Sequence, residues 1–214
     1  MGKITELRTG KRNEKRINIY LDGRFAFSLD AGVAEQEHLQ VGQELSGDQA
    51  ETLARNDQYQ RGLNAAFRYL GYRPRSEAEV RERLLKRDFL PEVVEEVTGR
   101  LKELGIVDDV AFARFWVENR ESFRPRGRRL TGLELRRMGV GKEVIQQAVE
   151  GADDRENAYR AAVQKARQWP SVDYPGFRRR LGDYLRRRGF DYEVIGQVVA
   201  RIWQERGSGR EEDG

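Results

Sequence analysis

The 214-residue sequence contains no cysteine, a single histidine and no apolar run long enough to cross a bilayer. The absence of cysteine excludes disulfides, thiolate metal ligands and cysteine nucleophiles. His38 alone cannot form a site with several histidine ligands, and we assign it a structural role. The N-terminal stretch also lacks the apolar core of a signal peptide, so we expect a cytoplasmic protein with no membrane partner.

Side chains arranged for catalysis are missing as well. The acid pairs at 108–109 and 153–154 stand just before helical patterns, where an aspartate accepts hydrogen bonds from free N–H groups and favours the helix dipole. GVGK at 139–142 lacks the pattern of a phosphate-binding loop and follows no predicted strand. No serine stands in the context of a nucleophile elbow. We therefore predict no catalytic residues, no metal site and no cofactor.

Charge is plentiful and unevenly distributed along the chain. Lys and Arg number 40 against 36 Asp and Glu, a formal net charge of +4. Residues 124–188 carry 17 basic and 8 acidic side chains, a net of +9, whereas residues 1–55 carry 8 and 9. Most of the basic residues are arginines, which bind carboxylates or phosphates through paired hydrogen bonds. Codon bias or a heat-adapted surface would explain the excess, but the clustering favours a localised anionic partner.

The first 30 residues predict β-structure. Apolar residues alternate along 17–21 and again along 25–29, with Asp22 and Gly23 between the two runs. An Asp-Gly pair is typical of a two-residue type I′ turn, whose central residues both need positive φ. The pattern predicts a hairpin, a further strand over residues 3–7 and a short helix after the hairpin.

From about residue 56 the pattern is helical, and it repeats. Nine helices are predicted in three groups of three, and LLKRDFLPEVVEEV, ELRRMGVGKEVIQQAV and YLRRRGFDYEVIGQVV align where the second helix of each group meets the third. The matched apolar positions, 51 and 50 residues apart, are Phe89, Val140 and Phe190; Val93, Val144 and Val194; Val94, Ile145 and Ile195; and Val97, Ala148 and Val198. A fixed period with matched apolar positions indicates a repeat array, in which each unit buries part of its surface against its neighbours.

The predicted fold is therefore mainly α, with tandem three-helix, helix-turn-helix-like repeats in an elongated array after a small N-terminal β-hairpin element. We expect a monomer with a polar, disordered tail. The predicted domains are 1–55 for the hairpin and short helix, 56–107, 108–152 and 153–206 for the three repeats, and 207–214 for the tail.

Two arginine clusters are the candidate binding residues. RPRGRR lies on a predicted linker of the second repeat and FRRRLGDYLRRRG lies in the third, and together they contain Arg124, Arg126, Arg128, Arg129, Arg178, Arg179, Arg180, Arg186, Arg187 and Arg188. Basic residues at a helix end also offset the dipole, and Gly189 is suited to a left-handed stop. One or two charges suffice for that purpose, so we predict that these clusters bind a partner. Lys86 and Arg87 have acids around them, and we assign them a structural role.

Several longer strings resemble the RecX family, the bacterial regulators of the RecA recombinase. They are RPRSEAEVRERLLKRDF at 73–89, LKELGIVDDVAFARFWVENR at 101–120 and the EL…GV…VI…A pattern at 134–148. The resemblance covers about residues 60–200, and the hairpin is similar to an N-terminal extension of some members. It implies tandem three-helix units without catalytic residues. It also implies that the protein binds the RecA filament, protein plus single-stranded DNA, and restrains strand exchange and co-protease activity.

Two other classes of function stay open. A stand-alone DNA-binding protein made of helix-turn-helix-like units accounts equally well for basic helices beside glycine turns. It would bind bare DNA directly in a salt-sensitive way, whereas a filament regulator would prefer RecA-coated DNA. A structural adaptor would bind neither.

Overall fold

The structure is a computed structural model that describes residues 1–10, 13–169 and 173–211. These residues form ten α-helices and four β-strands. The predicted mainly α class, with tandem three-helix units and a small N-terminal strand element, is confirmed. The chain divides into two compact units. The first is Met1–Arg73 with Val80–Ile106, and the second is Pro74–Glu79 with Val107–Gly214. Over the described ranges, no helix has the length and apolar character needed to span a membrane.

An antiparallel sheet opens the first unit. Its strands are β1 (Gly2–Gly10), β2 (Asn13–Leu21), β3 (Arg24–Asp30) and β4 (Glu44–Leu45), in the order β3-β2-β1-β4. The predicted hairpin is confirmed, because β2 pairs with β3 across Asp22 and Gly23, whose φ values are 49° and 77°. The predicted strand over residues 3–7 lies within β1. β4 has two residues, too few to produce an alternating pattern.

Helices cover the sheet and complete the first unit. They are α1 (Ala31–Gln36), α2 (Gly47–Leu70) and α4 (Pro91–Glu103), and α3 (Glu77–Leu85) crosses from the second unit into the first. Ile4, Ile19 and Leu29 are fully buried beneath α1 and the start of α2. The predicted boundary between residues 55 and 56 falls inside α2, because residues 48–61 contain no glycine or proline to interrupt the helix.

Two three-helix groups form most of the second unit. The first is α5 (Asp109–Phe123), α6 (Arg128–Arg137) and α7 (Lys142–Glu150), and the second is α8 (Asp154–Ala166), α9 (Tyr174–Arg187) and α10 (Tyr192–Glu211). Equivalent apolar residues are buried in both, such as Val140 with Phe190 and Ile145 with Ile195. α10 continues past residue 207, where the tail was predicted to begin, and residues 212–214 lie outside the described residues.

Candidate partner-binding site

The two three-helix groups of the second unit meet at the turn between α9 and α10. The N–H of Gly127, just before α6, donates to the carbonyl oxygen of Arg188 at 2.9 Å. A Cβ atom on Gly127 would lie 2.2 Å from the carbonyl oxygen of Gly189. Gly189 itself has φ +86°, and a Cβ atom there would lie 2.4 Å from Cβ of Leu130. The close approach of two backbones therefore requires glycine on both sides of this junction.

An equivalent junction lies one repeat earlier. The segment Pro74–Glu79 packs on the turn between α6 and α7, where Ser76 Oγ donates to the carbonyl oxygen of Met138. Gly139 has φ +80°, and a Cβ atom there would lie 2.2 Å from Cβ of Ala78. Gly139 precedes Gly189 by the same 50 residues that separate the repeats. The start of a middle helix thus contacts the following helix-turn-helix in both cases.

The first acid of each aspartate pair caps its own helix, as predicted. Asp108 accepts hydrogen bonds from the N–H groups of Val110 and Ala111 at 2.7 and 3.1 Å. Asp153 does the same at the start of α8, with distances of 2.9 and 3.1 Å. Four free N–H groups at helix starts are satisfied in this way, so capping explains the position of the first acid in each pair.

The second acid of each pair binds the start of the preceding middle helix. Asp109 Oδ1 accepts from the N–H of Glu77, and Asp154 Oδ1 accepts from the N–H of Arg128, both at 2.9 Å. Burial raises the pKa of Asp154, the backbone N–H and charge of Arg128 oppose that rise, and the charge of Asp191 adds to it. Each acid pair therefore connects two helices, a role that spacing along the sequence does not reveal.

Two of the ten predicted arginines are held at the linker before α6 by contacts within the protein, while Arg128 pairs with Asp154 at 3.5 Å and Arg186 pairs with Asp183 at 3.1 Å. Arg126 pairs with Glu134, which also accepts from Nε of Arg120 at 2.7 Å. Burial lowers the pKa of Arg126, and the nearby charges of Arg120 and Arg188 lower it further. Arg188 donates from Nη1 to the carbonyl oxygen of Pro125 at 3.0 Å. These two side chains stabilise the linker before α6.

Five of the remaining arginines line two similar grooves. Groove A lies between α6 and α7 and encloses about 440 Å³, and groove B lies between α9 and α10 and encloses about 660 Å³. Each residue that lines groove A has a counterpart 50 residues later in groove B. The pairs are Arg128 and Arg178, Arg129 and Arg179, Gly132 and Gly182, Leu133 and Asp183, Arg136 and Arg186, Ile145 and Ile195, and Val149 and Val199.

Helix geometry explains the shared lining. Residues 128, 132 and 136 are four apart, so they lie along one face of α6. Gly132 lets that face approach α7, because a Cβ atom there would already lie 3.3 Å from Cγ2 of Ile145. Both grooves have glycine and branched aliphatic side chains with arginines around them, and groove B adds Tyr174, Tyr192 and Asp183. Such a surface is suited to an anionic partner that also carries apolar atoms.

The structure divides the predicted arginines into three sets. Arg128, Arg129, Arg178, Arg179 and Arg186 line the grooves, Arg126 and Arg188 are held at the linker, and Arg124, Arg180 and Arg187 are exposed outside both linings. Arg136 is not among the ten predicted arginines, although it lies 50 residues before Arg186, the distance that separates the repeats. Partner binding by any of them stays a prediction.

Metal-binding side chains do not converge in the described part of the chain. Over residues 1–10, 13–169 and 173–211, no group of three His, Asp or Glu residues could hold a metal ion. His38 is exposed with φ 49°, and its N–H donates to the carbonyl oxygen of Glu35 at 3.0 Å. It therefore lies in the turn that ends α1, in agreement with a structural role.

The fold and the two grooves define a protein of tandem three-helix repeats with arginine-lined surfaces on its middle helices. Comparison with protein families matches residues 2–46 to the regulatory protein RecX N-terminal domain, and residues 63–110, 108–149 and 153–199 to the first, second and third three-helix domains of RecX. The chain belongs to the RecX family. The predicted resemblance is confirmed, including that of the N-terminal element.

Individual relatives agree with this assignment. Regulatory protein RecX of Bacillus subtilis (strain 168) is 30% identical over 205 residues, which cover 94% of this chain and 78% of the relative. The Bacillus pumilus protein of the same name is 30% identical over 216 residues, covering 100% and 81%. A crystal structure of regulatory protein RecX superposes with a TM-score of 0.67 at 26% identity over 92% of this chain and 98% of that one. RecX from Lactobacillus salivarius, at 22% identity and a TM-score of 0.62 over 69% and 97%, shares the fold.

Proposed function

We propose that the chain is a non-enzymatic, cytoplasmic regulator that binds the RecA–DNA nucleoprotein filament and modulates, mostly by inhibition, its recombinase, ATPase and co-protease activities. The observation that carries this proposal is the repetition of one arginine-lined groove 50 residues apart. A filament of identical protomers repeats the same surface, so two similar grooves would each contact one of two neighbouring protomers. Simultaneous binding raises the affinity without a deep pocket.

The lining of groove A favours a protein surface over nucleic-acid bases, whereas the lining of groove B includes Tyr174 and Tyr192. Groove A has Ile145 and Val149 on its floor and, among the described residues, no aromatic side chain in its lining, whereas stacking on bases needs aromatic rings. Arginine with an aliphatic floor suits a carboxylate beside an apolar side chain. We propose that each predicted repeat is one structural unit, with bounds 56–107, 108–152 and 153–206. The second repeat contains groove A and the third contains groove B.

The test compares binding of the full chain to RecA-coated and to bare single-stranded DNA of the same length. We expect a clear preference for the coated strand. Replacing one arginine in each groove, in the double variant Arg136→Ala/Arg186→Ala, should weaken filament binding about tenfold and reduce its salt dependence. The variant should inhibit RecA-driven ATP hydrolysis less by the same factor.

The matched control removes two exposed arginines that lie outside the grooves. Arg137→Ala/Arg167→Ala loses the same charge from the same two repeats, so we expect affinity close to that of the unchanged chain. Equal loss in both double variants would show that net charge, and not the grooves, determines binding. Equal affinity for bare and coated DNA would reject filament recognition and support the stand-alone DNA-binding protein.

A further inference from the structure

A third basic cavity lies in the first compact unit, and none of the ten predicted arginines is among the described residues that line it. It encloses about 680 Å³ between strand β2, helix α2 and the turn after α3. Five cationic side chains line it, and they are Lys15, Arg16, Arg61, Arg68 and Arg87. We call it the N-terminal basic cavity.

Part of this charge is held in place by a buried carboxylate. Asp57 is buried, and its Oδ1 accepts from Arg16 Nη1 at 2.5 Å and from the N–H of Asp30 at 2.6 Å. Its Oδ2 lies 3.7 Å from Arg61 Nη1. Asp30 is the one acid among the described residues of the lining, so the cavity carries five positive charges against two negative ones even when Asp57 is counted. An anionic ligand would meet a fixed positive wall.

Arg68 and Arg87 complete the other side of the cavity. Both are exposed, and in the part of the chain that the structure describes neither side chain forms a hydrogen bond or an ion pair. Their guanidinium groups are therefore available to a ligand without breaking an existing contact. Arginine binds phosphate oxygens through paired hydrogen bonds.

Two phenylalanines lie among these cations. Phe67 is 44% exposed although it is a large apolar residue, and Phe89 is partly buried with the guanidinium of Arg61 5.8 Å from its ring centre. Aromatic rings next to a basic wall are what single-stranded nucleic acid needs, since bases stack on the rings while cations bind the phosphates. Groove A differs, because aliphatic residues form its floor and its described lining contains no aromatic side chain.

We propose that the N-terminal basic cavity binds single-stranded nucleic acid, with Arg68 and Arg87 on the backbone phosphates and Phe67 stacked on a base. Its volume is within the range of pockets that hold small organic ligands and is large enough for a nucleotide. This site does not depend on filament recognition by grooves A and B. It would let the protein bind exposed DNA strands that no other protein coats.

The experiment measures fluorescence anisotropy of a labelled oligothymidylate with the full chain and no other protein. Arg68→Ala/Arg87→Ala should weaken binding about tenfold and lower the salt slope by about 0.7 for each phosphate that is no longer bound. The matched control is Arg55→Ala/Lys86→Ala, which removes two exposed cations outside the cavity. It should bind like the unchanged chain, and so should the groove variant Arg136→Ala/Arg186→Ala.

A second arm tests the stacking. The unchanged chain should bind the oligothymidylate more tightly than an abasic strand of equal length, and Phe67→Ala should remove that difference, a decrease of about five- to hundredfold. Equal affinity of the cavity variant and its control, or weaker binding only in the groove variant, would overturn the proposal. Binding of an acidic polypeptide but not of the oligonucleotide would also overturn it. These measurements contain no RecA, so their results neither support nor reject the proposed recognition of the RecA filament by grooves A and B.

Discussion

Arg188 donates a hydrogen bond from Nη1 to the carbonyl oxygen of Pro125 at 3.0 Å, and so connects the end of α9 to the linker before α6. Its guanidinium also lies 4.7 Å from the ring centre of Tyr184. The preceding Arg187 is exposed and, among the described residues, its side chain has no hydrogen bond or ion pair. Two adjacent arginines of one cluster therefore have different surroundings, and their substitutions should have different effects.

We expect Arg188→Ala to lower the free energy of unfolding by about 1–2 kcal/mol, because the carbonyl oxygen of Pro125 loses its donor and the guanidinium no longer packs on Tyr184. Arg187→Ala should change it by less than about 0.5 kcal/mol, as is usual for exposed residues. Urea denaturation of both variants measures the difference. Equal destabilisation would contradict a structural role confined to Arg188.

Gly127→Ala should be among the most destabilising single-methyl changes in the second unit. The added Cβ would lie 2.2 Å from the carbonyl oxygen of Gly189 and 2.9 Å from the nitrogen of Phe190, both of them backbone atoms. We expect a decrease of about 2 kcal/mol or more in the free energy of unfolding.

Gly141→Ala is the matched control for this change. Gly141 is also the N-cap of a helix, with φ −65° and ψ 149° against −68° and 151° at Gly127, and a Cβ atom there would meet nothing within 4 Å. The free energy of unfolding of the Gly141→Ala variant should fall by no more than about 0.5 kcal/mol. A similar decrease in both variants would attribute the effect to capping and not to the junction.

Features that depend on neighbouring residues along the chain could be predicted from the sequence. Asp22 and Gly23 define a turn by their own backbone preferences, and Asp108 caps the helix that it precedes. Features that depend on distant residues could not be predicted. Asp109 binds the N–H of Glu77, 32 residues away, and nothing in either local pattern indicates that contact.

The clustering of charged side chains in the fold could not be predicted from the sequence either. Residues 1–55 have a net charge of −1, yet Lys15 and Arg16 from that segment lie in one cavity with Arg61, Arg68 and Arg87. The acids that flank Arg87 along the chain predict a structural role for it. The fold places it among cations instead, since side chains several residues apart on a helix or across a turn face different directions.

Protonation of Asp154 should be visible in the pH dependence of stability. Burial raises its pKa in the folded protein, so its contribution to the free energy of unfolding is fully present below the ordinary carboxyl pKa of about 3.9 and is lost as the pH rises through the raised value. Asp154→Asn keeps an acceptor for the N–H of Arg128 but does not ionise. The unchanged chain should therefore lose stability relative to this variant as the pH rises from about 4.

Urea titrations of both proteins at several pH values measure that difference. A loss that grows through the acidic range and then becomes constant is the expected curve. The reverse curve, in which the unchanged chain gains stability relative to Asp154→Asn as the pH rises, would mean that Arg128 outweighs burial and lowers the pKa of Asp154.

The arginines of the last cluster should differ in filament binding according to the direction that each one faces. Arg186 lines groove B, whereas Arg187 is one residue further along α9 and outside its lining. We expect Arg186→Ala to weaken binding to RecA-coated single-stranded DNA by about three- to tenfold, and Arg187→Ala by less than about twofold.

The same difference in filament affinity should appear 50 residues earlier, with a larger loss for Arg136→Ala than for Arg137→Ala, because Arg136 lines groove A and Arg137 does not. Titration of the four single variants against one filament preparation gives all the affinities under the same salt, which is necessary because exposed charges respond strongly to ionic strength. If Arg136 and Arg186 both outweigh their neighbours, the two grooves act as equivalent sites. If Arg137 and Arg187 matter as much, the partner responds to the overall charge of residues 124–188, and the position of each side chain on its helix is irrelevant.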